Sequence, residues 1–215
     1  MICNSIGVIN IFCNIYEALE ELRNGKILCI SDREDIEDEI DMMCLADFAT
    51  TENINYMISN AKGLVCLSAG SEIIDNLGLK PLKYSNIDED KLGTPFFQPL
   101  DLNNGSTGVS AEERGKTARH IASGKSKLSD FISPGHLQIL RAKPRLLAER
   151  LGHTEFSVQM ADLCEHSPAA VICEIIDNQG QMLRVKDFED WNKDKNLKLF
   201  SIDQLINFND EVQNG

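Results

Sequence analysis

The sequence predicts an α+β protein, a mixed sheet covered by helices in a single domain spanning residues 1–215. Three observations point there. Short apolar runs alternate with longer stretches of helical periodicity, no internal repeat or low-complexity linker divides the chain, and capping signals recur where helices should begin. A chain of 215 residues, 42% hydrophobic and 26% charged, can bury a full core.

The elements follow in order. An amphipathic helix is expected from about Ile11, ended by Asn24 and Gly25, and Ile27 to Ile30 read as a buried strand. Thr50 or Thr51 starts a helix through Ile54, Met57 and Ile58, and Leu64 to Leu67 form another apolar strand. Residues 85 to 107, rich in Asn, Asp, Gly and Pro, read as the longest irregular stretch, and long loops in a compact domain are often functional. Ser110 with Glu113 has the spacing of a capping box for a helix ending near Gly124, and Ser201 with Gln204 repeats the device for the last helix. Thr154 is expected as the N-cap of a helix through Phe156, Met160 and Leu163. An apolar strand from Ala170 to Ile176, a turn at Asp177 to Gly180 and a strand near Met182 to Val185 complete the set.

Charge and cysteines bound the partners. The net charge of −13 argues against nucleic-acid and anionic-membrane partners, since counterion release needs clustered Lys and Arg. An anionic substrate would need local positive charge from a metal, an arginine or a helix end. Seven cysteines (Cys3, Cys13, Cys29, Cys44, Cys66, Cys164, Cys173) are an odd number, mostly in apolar runs and without CxxC pairs, so reduced thiols and a cytoplasmic location are expected. The apolar start of the chain is broken by Asn4, Asn10 and Asn14, with no basic residue before it, so it resembles neither a signal peptide nor a membrane span.

Several segments carry possible chemistry. In RLGHTE (150–155) a histidine and a hydroxyl stand between opposite charges beside a glycine, which suits a phosphorylated, metal-bound small molecule. Gly152 would open backbone conformations closed to other residues, Arg150 would supply a fixed charge, His153 a metal ligand or a proton, and Thr154 a helix start that favours anions. The alternative is a capped helix beside a structural histidine. From Asp32 to Asp41 seven of ten residues are acidic, which reads either as a solvated loop or as a site for Mg²⁺ or Mn²⁺; the spacing excludes an EF-hand. SPGH (133–136) mounts His136 after a Pro-Gly turn, as a general acid or base or as a merely structural residue. Glu174 inside AAVICEII must be paired, metal-linked or shifted in pKa. Cys66 in GLVCL reads as a small core residue or a catalytic thiol.

In this order the segments resemble one family, 3,4-dihydroxy-2-butanone 4-phosphate synthase. The resemblance runs through the NGK turn (24–26), the acidic loop, GLVCL (63–67), STGVSAEER (106–114), SPGH, LRA (140–142), RLGHTE and AAVICEI (169–175). It implies an Mg²⁺-dependent lyase of riboflavin biosynthesis that converts ribulose 5-phosphate into 3,4-dihydroxy-2-butanone 4-phosphate and formate, in a homodimer with sites near the subunit interface. Residue by residue it implies Glu37 and His153 as metal ligands, and Glu39 and Asp41 as substrate-binding or proton-handling carboxylates. His136 and Glu174 correspond to the essential catalytic pair, Cys66 to an active-site cysteine, and Arg150, Gly152, Thr154 and Thr107 to the phosphate- and substrate-binding set.

The chain also departs from the family pattern. Ile36 stands where the family has arginine, Asp38 where it has asparagine, and Ile40 where it has glycine, which is expected to restrict the loop backbone. Arg145 and Leu146 replace a glycine pair, and Glu112 to Arg114 replace Ala-Asp-Arg. Arg33 is a conceivable substitute for the missing arginine. Three functions therefore stand open: the family reaction, a related sugar-phosphate reaction in a specialised pathway, and a non-catalytic metabolite- or protein-binding homologue.

Overall fold

The apolar runs assemble into one seven-stranded mixed sheet among residues 11–82 and 94–214, which the computed structural model describes. In chain order the strands are β1 (Leu28–Ser31), β2 (Ile40–Leu45), β3 (Cys66–Ala69), β4 (Phe96–Leu102), β5 (Phe131–Arg141), β6 (Ala169–Glu174) and β7 (Leu199–Ser201). They lie in the order β4-β5-β3-β6-β2-β1-β7. Two neighbouring pairs, β1 with β7 and β3 with β5, are parallel. The central strands are buried on both faces, so they read as continuous apolar runs rather than as alternating ones.

Alternation along the strands divides the core in two. Met42, Cys44, Leu67 and Val171 face α2 (Thr51–Asn60) and α4 (Ala111–Ala122), which contribute Ile54, Met57, Ala118 and Ile121. Met43, Leu45, Ala170 and Ile172 face the other way, toward α1 (Ile15–Arg23), α5 (His153–Leu163) and α7 (Ile202–Asn214). Phe156 and Met160 of α5 are fully buried there, and truncating Phe156 to alanine is expected to cost about 3–5 kcal/mol. That packing holds the start of α5 over the ends of β2 and β6. Short α3 (Ser71–Leu77) and α6 (Phe188–Asn192) complete the helices, and no helix of the described residues is long and apolar enough to cross a membrane.

Both predicted capping boxes form, Ser110 with Glu113 and Ser201 with Gln204. Elsewhere the structure differs from the sequence reading. Part of the expected irregular stretch is strand: Phe96–Leu102 is β4, an outer strand whose Pro99 falls at a register shift, which hid its pattern; residues 85–93 lie outside the described residues. The expected strand near Met182 to Val185 is a single bridge from Met182 to Ile176 that passes into a short 3-10 helix at Val185–Asp187. Thr154 is not a cap. Gly152 takes that position, and Thr154 is buried inside the first turn of α5. SPGH is no turn but the irregular middle of β5. Ile40 does not strain the loop: it opens β2, has no left-handed φ, and its side chain is fully buried in the core.

Candidate active site

Two strands, a loop and a helix start deliver carboxylates and a histidine to one cavity of about 250 Å³. Asp41 on β2 lies directly opposite Glu174 on β6. Both line the cavity, together with Cys66 from β3 and His153 and Thr154 from the first turn of α5. The acidic run enters as a tight turn, because Asp32 accepts the backbone N–H groups of Glu37 and Glu39 at 2.9 Å each. Asp38 sits at φ 54°, a left-handed conformation that Asp adopts more readily than most residues. This turn presents Glu37 to His153, with 3.5 Å between Oε2 and Nδ1.

The donor set fits a hard divalent cation. Ligand atoms of Asp32, Glu37 and His153 all lie within 4.8 Å of one another. Among the described residues, His153 Nε2 and Asp41 Oδ1 are buried without a hydrogen-bond partner. Such atoms are rare because leaving them unpaired is costly, and a mixed carboxylate and imidazole shell suits Mg²⁺ or Mn²⁺.

Burial and crowding shift the titrations. Burial pushes Asp41 up to about 7; His153 opposes the rise, and Glu174, Glu37 and Glu39 add to it. Burial alone would drive His153 down, but Asp41, Glu37 and Asp32 together outweigh it and lift the imidazole to about 9. Glu39 and Asp32 are also raised, chiefly by burial. Burial, then Glu174 and Asp41, raise the Cys66 thiol well above its ordinary range, so it stands as a neutral thiol in the cavity wall.

Arg150 forms the cationic end. Its guanidinium lines the cavity beside Thr154, donating to the fully buried Glu155 and to Thr94 Oγ1, both at 2.6 Å. Gly152 has an extended φ of −137°, so its conformation does not demand glycine. Its missing side chain does matter: a Cβ there would lie 1.9 Å from Arg150 Nη1.

Residues 16–208 match the family model described as 3,4-dihydroxy-2-butanone 4-phosphate synthase. The chain belongs to this family. The riboflavin biosynthesis protein RibBA of Bacillus mycoides is 41% identical over 195 residues, which are 91% of this chain and 49% of that protein. The 3,4-dihydroxy-2-butanone 4-phosphate synthase of Wolinella succinogenes is 41% identical over 194 residues, 90% of this chain and 55% of that protein. The chain thus spans about half the length of the curated relatives it matches. The Candida albicans synthase structure superposes with a TM-score of 0.82 at 38% identity, covering 93% of this chain and 98% of that one. A synthase solved with two magnesium ions gives 0.87 at 28% identity, covering 94% and 99%.

Three residues that the synthase resemblance implies do not line the cavity: Gly152, whose role is to leave room for Arg150, and His136 and Thr107. Asp101 holds His136, accepting its backbone N–H at 2.8 Å and lying 2.6 Å from Nδ1. Parallel pairing of Cys66 with Gln138 sets the start of β3 against β5 two residues after His136, and the Leu64 N–H, two residues before Cys66, donates to Glu174 Oε2 at 2.8 Å. His136 and Glu174 therefore share one end of the sheet, with one chain segment between them. Thr107 is exposed in the turn between β4 and α4, next to Gly108, which packs on the Asp101 carboxylate. Arg33 pairs with Asp35 and Asp203, and neither it nor Ile36 lines the cavity. Sequence reasoning missed Asp101, Glu155 and the loop-closing role of Asp32. A polar residue inside an apolar strand was the one available signal for Asp101.

Proposed function

We propose that this cavity converts ribulose 5-phosphate into 3,4-dihydroxy-2-butanone 4-phosphate and formate, as the names of the relatives suggest. The observation that carries this reading is the convergence of Glu37 and His153 at one buried point beside the Asp41 and Glu174 pair. Glu37 and His153 would hold Mg²⁺ or Mn²⁺, with Asp32 as a third candidate ligand. When bound, the ion supplies positive charge for the enediolate that develops beside the substrate carbonyl.

The remaining tasks fall to side chains. Arg150, Thr154 and the N–H groups of the first turn of α5 bind the phosphate and keep it away from the reacting end, which is positioning rather than chemistry. Asp41, buried opposite Glu174 in the same cavity, can take and return a proton. Glu39, Glu174 and His136 are the other proton-handling groups for the proton removal, dehydration, carbon migration and formate release that the reaction requires.

A homodimer is part of the proposal. Leu64, Val109 and Ile132 are large apolar side chains 46–52% exposed. The Leu64 N–H bonds Glu174, Val109 is next to Gly108 on the Asp101 carboxylate, and Ile132 lies opposite Asp101. A second copy of the chain would cover them beside the Glu174 end of the cavity. The free thiols of the described cysteines support the cytoplasm as compartment.

One observation favours a second reading, turnover of a related phosphorylated sugar. Ile36 lacks the family arginine's charge, and Arg33 is committed elsewhere. Incubating the purified protein with ribulose 5-phosphate, with and without Mg²⁺, and measuring formate decides between them. Mg²⁺-dependent formate release is expected; none from this substrate, with turnover of another pentulose phosphate, selects the second reading.

A further inference from the structure

Arg184 lies far from the acidic loop in sequence and contacts it directly. Its Nη1 donates to the carbonyl of Glu37 at 2.6 Å and to that of Asp38 at 2.5 Å, and its Nε lies 3.9 Å from the Asp38 carboxylate. Two successive carbonyls can converge on one nitrogen only when the residue between their peptide planes is curled, and Asp38 at φ 54° supplies that curl. The same curl directs the Glu39 N–H back to Asp32 Oδ1 and leaves the Asp38 N–H to the Arg33 carbonyl at 3.2 Å.

The other end of Arg184 is anchored beside the catalytic carboxylates. Leu183 N–H donates to the Ile175 carbonyl, and Ile175 N–H donates to that of Ile40, so the segment carrying Arg184 is laced to the strand that ends in Glu174 and to the start of β2. A planar, permanently charged guanidinium suits this task, since it presents several fixed donors and keeps them charged at any working pH.

We propose that Arg184 is a positioning residue, a clamp that selects the curled form of the acidic loop and so holds Glu37 toward His153. The inference rests on the reading of Glu37 as a metal ligand. Charge and geometry predict opposite signs here. Removing a cation close to a metal site should strengthen cation binding through Coulomb's law, whereas releasing a clamp should weaken it.

The test uses Arg184→Met, which keeps an apolar stem, Arg184→Lys, and Arg33→Met as a control that removes a charge on the loop's outer side. Mn²⁺ affinity is measured by calorimetry, amide exchange at residues 37–39 by mass spectrometry, and folding by thermal melting. Arg184→Met is expected to weaken Mn²⁺ binding about ten- to a hundredfold and to speed exchange at residues 37–39 by a similar factor, as for loss of hydrogen bonds to a charged group. Arg184→Lys should recover part of both, and Arg33→Met should leave Mn²⁺ affinity unchanged or slightly tighter. Unaltered exchange in Arg184→Met, or Mn²⁺ binding as tight as in the wild type, overturns the clamp. Wild-type protein that binds no Mn²⁺ sinks the metal reading instead, and the exchange rates then decide the clamp alone.

Discussion

Asp101 grips His136 twice. One carboxylate oxygen accepts the backbone N–H and the other stands 2.6 Å from Nδ1, while the carboxylate itself is walled in by Gly108, where any side chain would collide with it. A carboxylate partner requires the proton on Nδ1, which leaves Nε2 as the nitrogen free to exchange protons. The ring is half exposed, so its orientation depends on this contact more than on packing.

Asp101→Asn should therefore lower kcat by about 10²- to 10⁴-fold, the usual contribution of one positioned acid or base. The amide can turn its NH₂ toward Nδ1 and select the opposite tautomer. KM should change little, because Asp101 does not line the substrate cavity. Initial rates of formate release measure both constants, and a wild-type kcat would remove His136 from the proton transfers.

Metal uptake should strengthen as pH rises. His153 in the metal-free protein keeps its proton up to about 9, above the ordinary 6.5, and a ligating imidazole must be neutral. Below that midpoint each pH unit should raise the apparent affinity about tenfold, with about one proton released per ion. The sign for stability is opposite: a raised histidine pKa stabilises the metal-free fold fully below 6.5, and that share is lost as pH climbs through about 9. Calorimetric Mn²⁺ titrations in buffers of different ionisation enthalpy count the proton. A flat affinity with no proton released would exclude His153 as a ligand.

The parts of the site readable in the sequence are those with a local pattern. Glu37, Glu39 and Asp41 stood out as a dense acidic run, and His153 through its place between Gly152 and Thr154. Asp101 and Arg184 act on residues 35 and roughly 150 positions away in sequence, and no local period marks such contacts. The fold was legible by the same rule. Capping boxes at Ser110 and Ser201 are short-range devices and formed as expected, whereas β4 and β5 carry Pro99 and Pro134 and owe their strand character to pairing with each other and, for β5, with β3. Thr154 has the chemistry of a cap but is buried by the packing of α5, a tertiary effect that propensity does not carry.

Two glycine substitutions should separate catalysis from binding. At Gly63 a Cβ would stand 2.3 Å from the Glu174 carbonyl oxygen and 2.7 Å from its Oε2, so Gly63→Ala must displace backbone and the Glu174 carboxylate together. It should lose about 1–3 kcal/mol of stability and most of kcat.

At Gly152 the colliding group is the guanidinium of Arg150, which is bonded to the buried Glu155 and to Thr94. Gly152→Ala should raise KM by about tenfold or more through the displaced cation, with a smaller effect on kcat, and should lose stability as the buried Glu155 loses its partner. Thermal melts and steady-state kinetics of the two variants check the contrast, and matching effects in both would refute it.

Ile36 offers the sharpest test of substrate choice. The family pattern has arginine here, and restoring it should add a hydrogen-bonded charge worth about 1.5–3 kcal/mol, or about ten- to a hundredfold in affinity for a sugar phosphate. Ile40, the neighbouring departure, must be left alone. Its side chain is fully buried, its backbone needs no glycine, and Ile40→Gly would cost about 3–5 kcal/mol through the cavity and the added backbone freedom. The single change Ile36→Arg is thus the clean experiment, since Ile36 is only partly buried at a turn that Asp32 and Arg184 hold independently. A fall in KM for ribulose 5-phosphate shows that the missing charge limits binding of that substrate. An unchanged KM identifies Ile36 as a tolerated substitution, and the ground for a different sugar phosphate disappears with it.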